Sequence, residues 1–251
     1  MHKVWRLLWV LLAATAVAVL VRCCGVAVVA IPGHGERPVL LQGDRVAVCR
    51  WSYGLRLWPM SRWGYVRLGA RRASRGDWVA FNAPVAAADS LPIDGRDLFV
   101  AYVQAVPGDS LWLLPQGGIT HHPGRVPGQQ GIEVPRAGAY VPITPANVHW
   151  YSTIINRHEG LHSVVIRDSL YVSGHQVLCY RFSQDYYWVA SGGRNNLHDS
   201  RSFGFVPAQH LVGRLTRVLY SINPQQPWYS AVRWRRTGTV VGREQIYPQQ
   251  P

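Results

Sequence analysis

The sequence predicts a mainly β protein carried behind one N-terminal transmembrane helix. Three observations predict it. The first about 30 residues are almost wholly apolar. From residue 32 onward no long helical periodicity is visible, and Gly and Pro recur every few residues as turn signals. Between those turns lie short runs rich in β-branched and aromatic residues, the pattern of a sheet assembly. The 251 residues suffice for one large or two small domains.

Taken in order, Met1 to Arg6 is short and basic, and Leu7 to Val21 carries no charge. Arg22 interrupts the run, and Cys23 to Ile31 resumes it. A spanning helix needs about 20 apolar residues. The run reaches that length when the second stretch is included, with Arg22 near an interface where its head can reach water. A cleaved signal peptide shares the basic start and apolar core, so that reading stays open. Arg22 stands where a lipoprotein site at Cys23 would want a small residue. The basic start places the N-terminus in the cytoplasm and the remainder across the inner membrane. Strands are expected at Arg45–Cys49, Asp77–Phe81, Leu98–Ala105, Ser110–Leu114, Ser163–Ile166, Tyr186–Ala190 and Leu215–Leu219. The expected boundaries are an anchor at 1–31, a β domain at 32–242 with an insertion at 115–185, and a polar tail at 243–251.

The formal charge is +13, and nearly all of the basicity is arginine; Lys3 is the one lysine. No helix-turn-helix pattern, zinc-ligand spacing or RNA-binding aromatic motif accompanies it, which excludes the usual nucleic-acid readers. Eleven Trp and twelve Tyr instead suit a membrane interface. Trp58, Trp63 and Tyr65 either rest on the bilayer or fill the core. Cys49 and Cys179 either form a disulfide or remain buried thiols. His121 and His122 lie in a Gly/Pro-rich loop with no further ligands at metal spacing, so neither a metal nor any other cofactor is expected.

The segment Ser191–Pro207, SGGRNNLHDSRSFGFVP, resembles the late motif of type I signal peptidases, with Arg194, Asn196, Asp199, Ser200, Arg201, Gly204, Val206 and Pro207 on the pattern. Asp199 and Arg201, two apart, are able to form a buried ion pair that fixes a loop. The resemblance extends through Ile31-Pro32, Pro38-Val39-Leu40 with Gly43-Asp44, Trp51-Ser52-Tyr53-Gly54, Arg75 to Phe81, and Phe99 to Asp109. It implies a two-part β-sheet assembly, a membrane location and a role connected with signal peptide processing.

That family uses a serine nucleophile and a lysine base, a pair that works because an apolar setting lowers the lysine pKa. By position, Gly35 stands at the nucleophile and Ala101 at the lysine. Gly33 stands at the oxyanion serine, and Leu197 at the serine that orients the lysine. Lys3 is at the far end of the anchor, so no Ser–Lys pair is available to the β domain. Some relatives use histidine as the base, but none falls beside Ala101 in sequence, and His34 neighbours only Gly35. Ser52 or Ser61 is a conceivable substitute nucleophile. The expectation is a non-catalytic relative that binds signal-peptide-like segments or assists an active signal peptidase; the alternative is an active serine endopeptidase with an unrecognised catalytic group.

Overall fold

The structure is a computed structural model that describes residues 4–6, 8–15, 25–31, 39–56, 65–85, 91–114, 119–121, 131–192, 198–227 and 229–243. Its centre is a seven-stranded antiparallel sheet. The strands are β1 (Val26–Ala30), β2 (Asp44–Cys49), β3 (Trp78–Asn82), β4 (Leu98–Ala105), β5 (Tyr186–Ala190), β6 (Val206–Pro207) and β7 (Leu211–Ser221), in the order β1-β2-β7-β3-β4-β5-β6. The mainly β expectation holds.

β3 is buried at every residue because both faces of the sheet are covered. On one face Trp78 and Ala80 pack with Val46, Val48, Val100, Leu215 and Val218. On the other, Val79 and Phe81 pack with Ala101, Val103, Val189 and Leu211. This is the period-two alternation of a pleated strand, fixed by the register Val79↔Ala101 and Ala80↔Val100. Gly43 precedes β2 with φ +87°, where a Cβ would run into the Ile222 carbonyl. Only glycine fits there.

The region between β4 and β5 has a core of its own. It contains Leu111, Ile132, Val141, Tyr151, Ile155, Leu170 and Phe182, and meets the sheet through Trp188 and Tyr186. The three-stranded unit Ser163–Ile166, Ser169–Val172 and His175–Val177 turns through Arg167-Asp168 and Ser173-Gly174, all at positive φ as tight two-residue hairpins require.

Four sequence expectations need correction. Val26–Ala30, assigned above to the anchor, is edge strand β1, paired with β2 from Val26↔Cys49 to Ala30↔Arg45. An apolar run of β-branched residues suits either fate, and here pairing with β2 decides it. Helix α1 (Val148–His158) lies in the chain expected to be without long helices; it buries Val148, Tyr151, Ser152 and Ile155, an i, i+3, i+4, i+7 face. Arg243, first residue of the expected tail, returns to the sheet and donates to Asp77 at 2.8 Å. Cys49 and Cys179 are free, and Cys179 is exposed rather than buried.

Residues 4–6 and 8–15 are helical, and all of their side chains are exposed, Trp5 and Trp9 among them. Among the described residues no helix is long and apolar enough to cross a membrane. Arg22, Cys23 and Cys24 lie outside the described residues.

Candidate active site and late motif

The two ends of the segment carrying Gly33 and Gly35 are pinned. Ile31 and Leu40 are both buried in the cluster of Trp78 and Val100. The Ile31 amide donates to the Asp44 carbonyl at 2.9 Å, and the Gly43 amide donates to the Ile31 carbonyl at 3.2 Å. Gly33, His34, Gly35 and Glu36 themselves lie outside the described residues, as do Arg194, Asn196, Leu197, Ser61, Trp58, Trp63 and His122.

Ala101 sits in the middle of β4 with no exposed surface. Its surroundings are Val79, Phe81, Val103 and Val189, with Tyr53 and Tyr187 in the same cluster. Such a setting would lower the pKa of a lysine; a methyl group there carries no proton to exchange. β4 is only partly flanked. β3 pairs with it from Leu98 to Tyr102, whereas β5 pairs only from Tyr102 to Ala105. Leu98–Ala101 therefore has no described strand on its second side. Exposed His198 stacks on Phe99 in that stretch, with ring centroids 4.2 Å apart. Sequence reasoning missed His198 because it reaches β4 from the late motif, about a hundred residues away.

The late motif is organised around Asp199, which is fully buried. It caps the short helix α2 (Ser200–Phe203) by accepting from the Arg201 amide at 3.0 Å. It also accepts from the Ser191 amide at 3.1 Å, the Ser191 hydroxyl at 3.0 Å and Arg201 Nε at 2.8 Å. Its closest ion-pair contact with Arg201 is 2.6 Å. Ser200 Oγ accepts from the Val189 amide at 2.9 Å, tying α2 to β5. Gly204 ends α2 at φ +83°, against the Trp150 ring.

The aspartates of the earlier motifs play the same part. Asp44 is fully buried and pairs with Arg236 at 2.6 Å. Burial opposes its charge, but hydrogen bonds from Arg236, the Leu41 amide and Ser221, with the Arg236 charge, hold the carboxyl below the usual carboxylate range. Asp77 accepts from Tyr53, the Ser74 amide and Arg243. Asp109 accepts from the Val106 amide at 2.7 Å and from Arg75 at 2.8 Å. Four motif carboxylates thus fix four turns, each against arginine, whose planar fork suits bidentate pairing.

Half-buried Ser52 lies in the turn before Tyr53. His121 Nε2 donates to the Gln104 carbonyl at 3.2 Å, and no group of ligands able to hold a metal is found among the described residues.

A family profile described as "Signal peptidase, peptidase S26" matches residues 4–123. The chain is 23% identical over 243 residues to a signal peptidase I of Buchnera aphidicola subsp. Baizongia pistaciae, covering 84% of this chain and 75% of the relative. It is 23% identical over 241 residues to the signal peptidase I of Buchnera aphidicola subsp. Acyrthosiphon pisum, covering 84% and 73%. With the similarity running through most of both chains, the protein is similar to the type I signal peptidases.

Proposed function

We propose that this chain is a non-catalytic signal peptidase relative that holds signal-peptide-like segments, or presents them to an active enzyme. One observation carries the reading. The position of the family's lysine base is Ala101, inside an apolar cluster, in a chain whose single lysine is Lys3. The loss falls on the chemistry-bearing positions, Gly33, Gly35 and Ala101, while the carboxylates that fix turns keep their arginines. Removing a nucleophile and its base together lowers rate by several orders of magnitude, because the two act as a unit.

Binding needs neither group. An extended peptide is recognised by main-chain hydrogen bonds to an open strand and by shallow pockets for alternate side chains. Leu98–Ala101, with no strand on its second side among the described residues, supports such a groove. Glu36 stands where the family has methionine, and a carboxylate there opposes burial of an apolar peptide. Titrating a labelled Ala-x-Ala peptide against the purified chain tests the reading. Weak saturable binding that tightens in Glu36→Met is expected; no saturable binding in either form contradicts it.

The anchor is reassigned to residues 4–24, which have Arg6 and Arg22 near their ends. As a helix this segment is about 31 Å long, the thickness of a bilayer core. The exposed apolar side chains of the helical residues 4–6 and 8–15 support a bilayer as their covering. The N-terminus then lies in the cytoplasm and the β domain on the outer side.

A second reading is favoured by His198. Its ring stacks on Phe99, two residues from Ala101 on the same strand. In an active enzyme it would be the base, with a serine such as Ser52 as nucleophile. Loss of a measured activity in both His198→Ala and one serine variant would establish that reading.

A further inference from the structure

Helix α1 has a second face. Trp150, Thr153, Ile154, Arg157 and His158 follow the i, i+3, i+4, i+7, i+8 spacing of one helical stripe. That stripe does not close on its neighbour. A pocket of about 240 Å³ remains between it and the end of α2, where Ser202, Phe203, Gly204 and Phe205 line the other side. None of the lining residues belongs to β4, and all lie beyond residues 4–123, the part that the family profile matches.

The inner walls are apolar and fixed from behind. Ile154 and Phe205 are buried. Trp150 meets Trp188 and Phe205 edge-on, with ring centroids 5.6 and 6.4 Å away. Phe203 is held the same way by Phe81 at 6.0 Å. At Gly204 a Cβ would stand 3.4 Å from the Trp150 ring, so the glycine lets the two sides approach without a side chain between them. Aromatic walls pinned in this manner form a largely preformed site.

Three polar groups on the outer side have no task in the fold. Among the described residues the Arg157 guanidinium makes no ion pair, and neither the His158 ring nor the Ser202 hydroxyl makes a hydrogen bond. The fourth, Thr153, already donates to the His149 carbonyl at 2.9 Å. No acid lines the pocket. Glu159, next in sequence, is committed elsewhere, accepting from the Ser183 amide at 2.9 Å and the Tyr186 hydroxyl at 2.6 Å. Burial, then the facing His210 and Arg157, keeps the His158 imidazole neutral near pH 7, with one N–H to donate. Arg157 is exposed in the last turn of α1, where helix carbonyls favour a cation. The pocket thus offers one positive charge and two neutral donors above an apolar floor.

We propose that this pocket binds a small apolar carboxylate, its hydrocarbon part between Trp150, Ile154 and Phe205 and its carboxylate towards Arg157, His158 and Ser202. An arginine fork matches two carboxylate oxygens at once. A bare anion would leave the apolar floor to water, and an uncharged hydrocarbon would leave Arg157 unmatched. The volume lies below the range of about 300–1,000 Å³ usual for larger ligands, so one aromatic or branched group fits rather than a long chain. A free aryl or branched acid and the last residue of a peptide both present this chemistry.

The test titrates the full chain, in a neutral detergent at pH 7.5, into 4-fluorophenylacetate followed by fluorine NMR. A saturable shift beyond that of detergent alone is expected, reversed by phenylacetate and at least tenfold less well by acetate or phenylacetamide. Arg157→Gln should weaken binding about tenfold, the loss of one charge-assisted contact. Ser202→Phe, which fills the mouth, should abolish it, while Arg217→Gln on β7 should leave it unchanged. Arg157 and Ser202 are exposed, so both variants should keep the wild-type urea midpoint. N-acetyl-phenylalanine that displaces the probe at least as tightly as phenylacetate would identify a peptide C-terminus as the source; weaker displacement would identify a free acid, and either supports the site. The proposal is overturned if the wild type gives no saturable shift, or if binding survives in both Arg157→Gln and Ser202→Phe. It is equally overturned if acetate or phenylacetamide competes as well as phenylacetate.

Discussion

Replacing Asp199 with alanine should destabilise the protein by about 3 kcal/mol. Asp199 has no exposed surface, and its carboxylate accepts four hydrogen bonds, from the amide and hydroxyl of Ser191 and the amide and Nε of Arg201. Breaking a buried ion pair by removing one partner costs about 3–5 kcal/mol. The lower end applies because the Arg201 side chain is 28% exposed and keeps a 3.2 Å hydrogen bond to Ser191 Oγ. The lost helix cap, typically about 1 kcal/mol, falls within that figure. Asp199→Asn keeps the size and one acceptor oxygen but turns an amide towards Arg201, so roughly half the loss is expected. Urea unfolding of the detergent-solubilised chain, followed by tryptophan fluorescence, measures both. If both variants unfold within about 0.5 kcal/mol of the wild type, Asp199 is not the hub of this turn and the structural reading of the late motif fails.

Acid should destabilise the chain before its carboxylates titrate. Burial, then the facing His210 and Arg157, lower His158 to about 3; burial, with Arg96 and Arg56 nearby, lowers His210 to about 4 despite its Nδ1 donating to the Asn82 carbonyl at 3.0 Å. Both bind protons more readily unfolded, near 6.5, so stability is full above that pH and falls as pH drops towards 4. At pH 5 the loss is on the order of 2 kcal/mol for each histidine. Urea midpoints at pH 7.5 and 5.0 should separate in the wild type and converge in His158→Gln/His210→Gln; equal midpoints in the wild type would refute the assignment. The whole chain should also stay with membranes through carbonate washing, whereas a soluble form beginning near residue 25 would show that the N-terminal segment is cleaved.

Several strands were legible in the sequence because their alternation is strong. Leu98–Ala105 and Tyr186–Ala190 have the expected bounds, and Arg45–Cys49 and Asp77–Phe81 differ by a single residue at their ends. Val26–Ala30 was hidden because an apolar run has no sign of its own for strand or membrane helix. Helix α1 was masked by Thr153, Ile154 and Ile155, β-branched residues whose propensity favours strands, although its buried face follows helical spacing. At the site, the Asp199–Arg201 spacing is local and visible in sequence. The arginines that meet Asp44 and Asp77 come from 192 and 166 residues away, a distance no motif spans. His198 over Phe99 and the pocket between α1 and α2 likewise exist only once the fold has brought separate segments together.

Incubating the purified chain with a preprotein carrying an Ala-x-Ala cleavage site tests the central claim most directly. The processed product is read by gel and mass spectrometry across neutral pH. On the proposal that Gly35 and Ala101 stand at the reacting positions, and with no lysine beyond Lys3, no processed product is expected above a no-protein control. Cleavage at the Ala-x-Ala site that disappears on changing one serine or His198 in this chain would contradict the account.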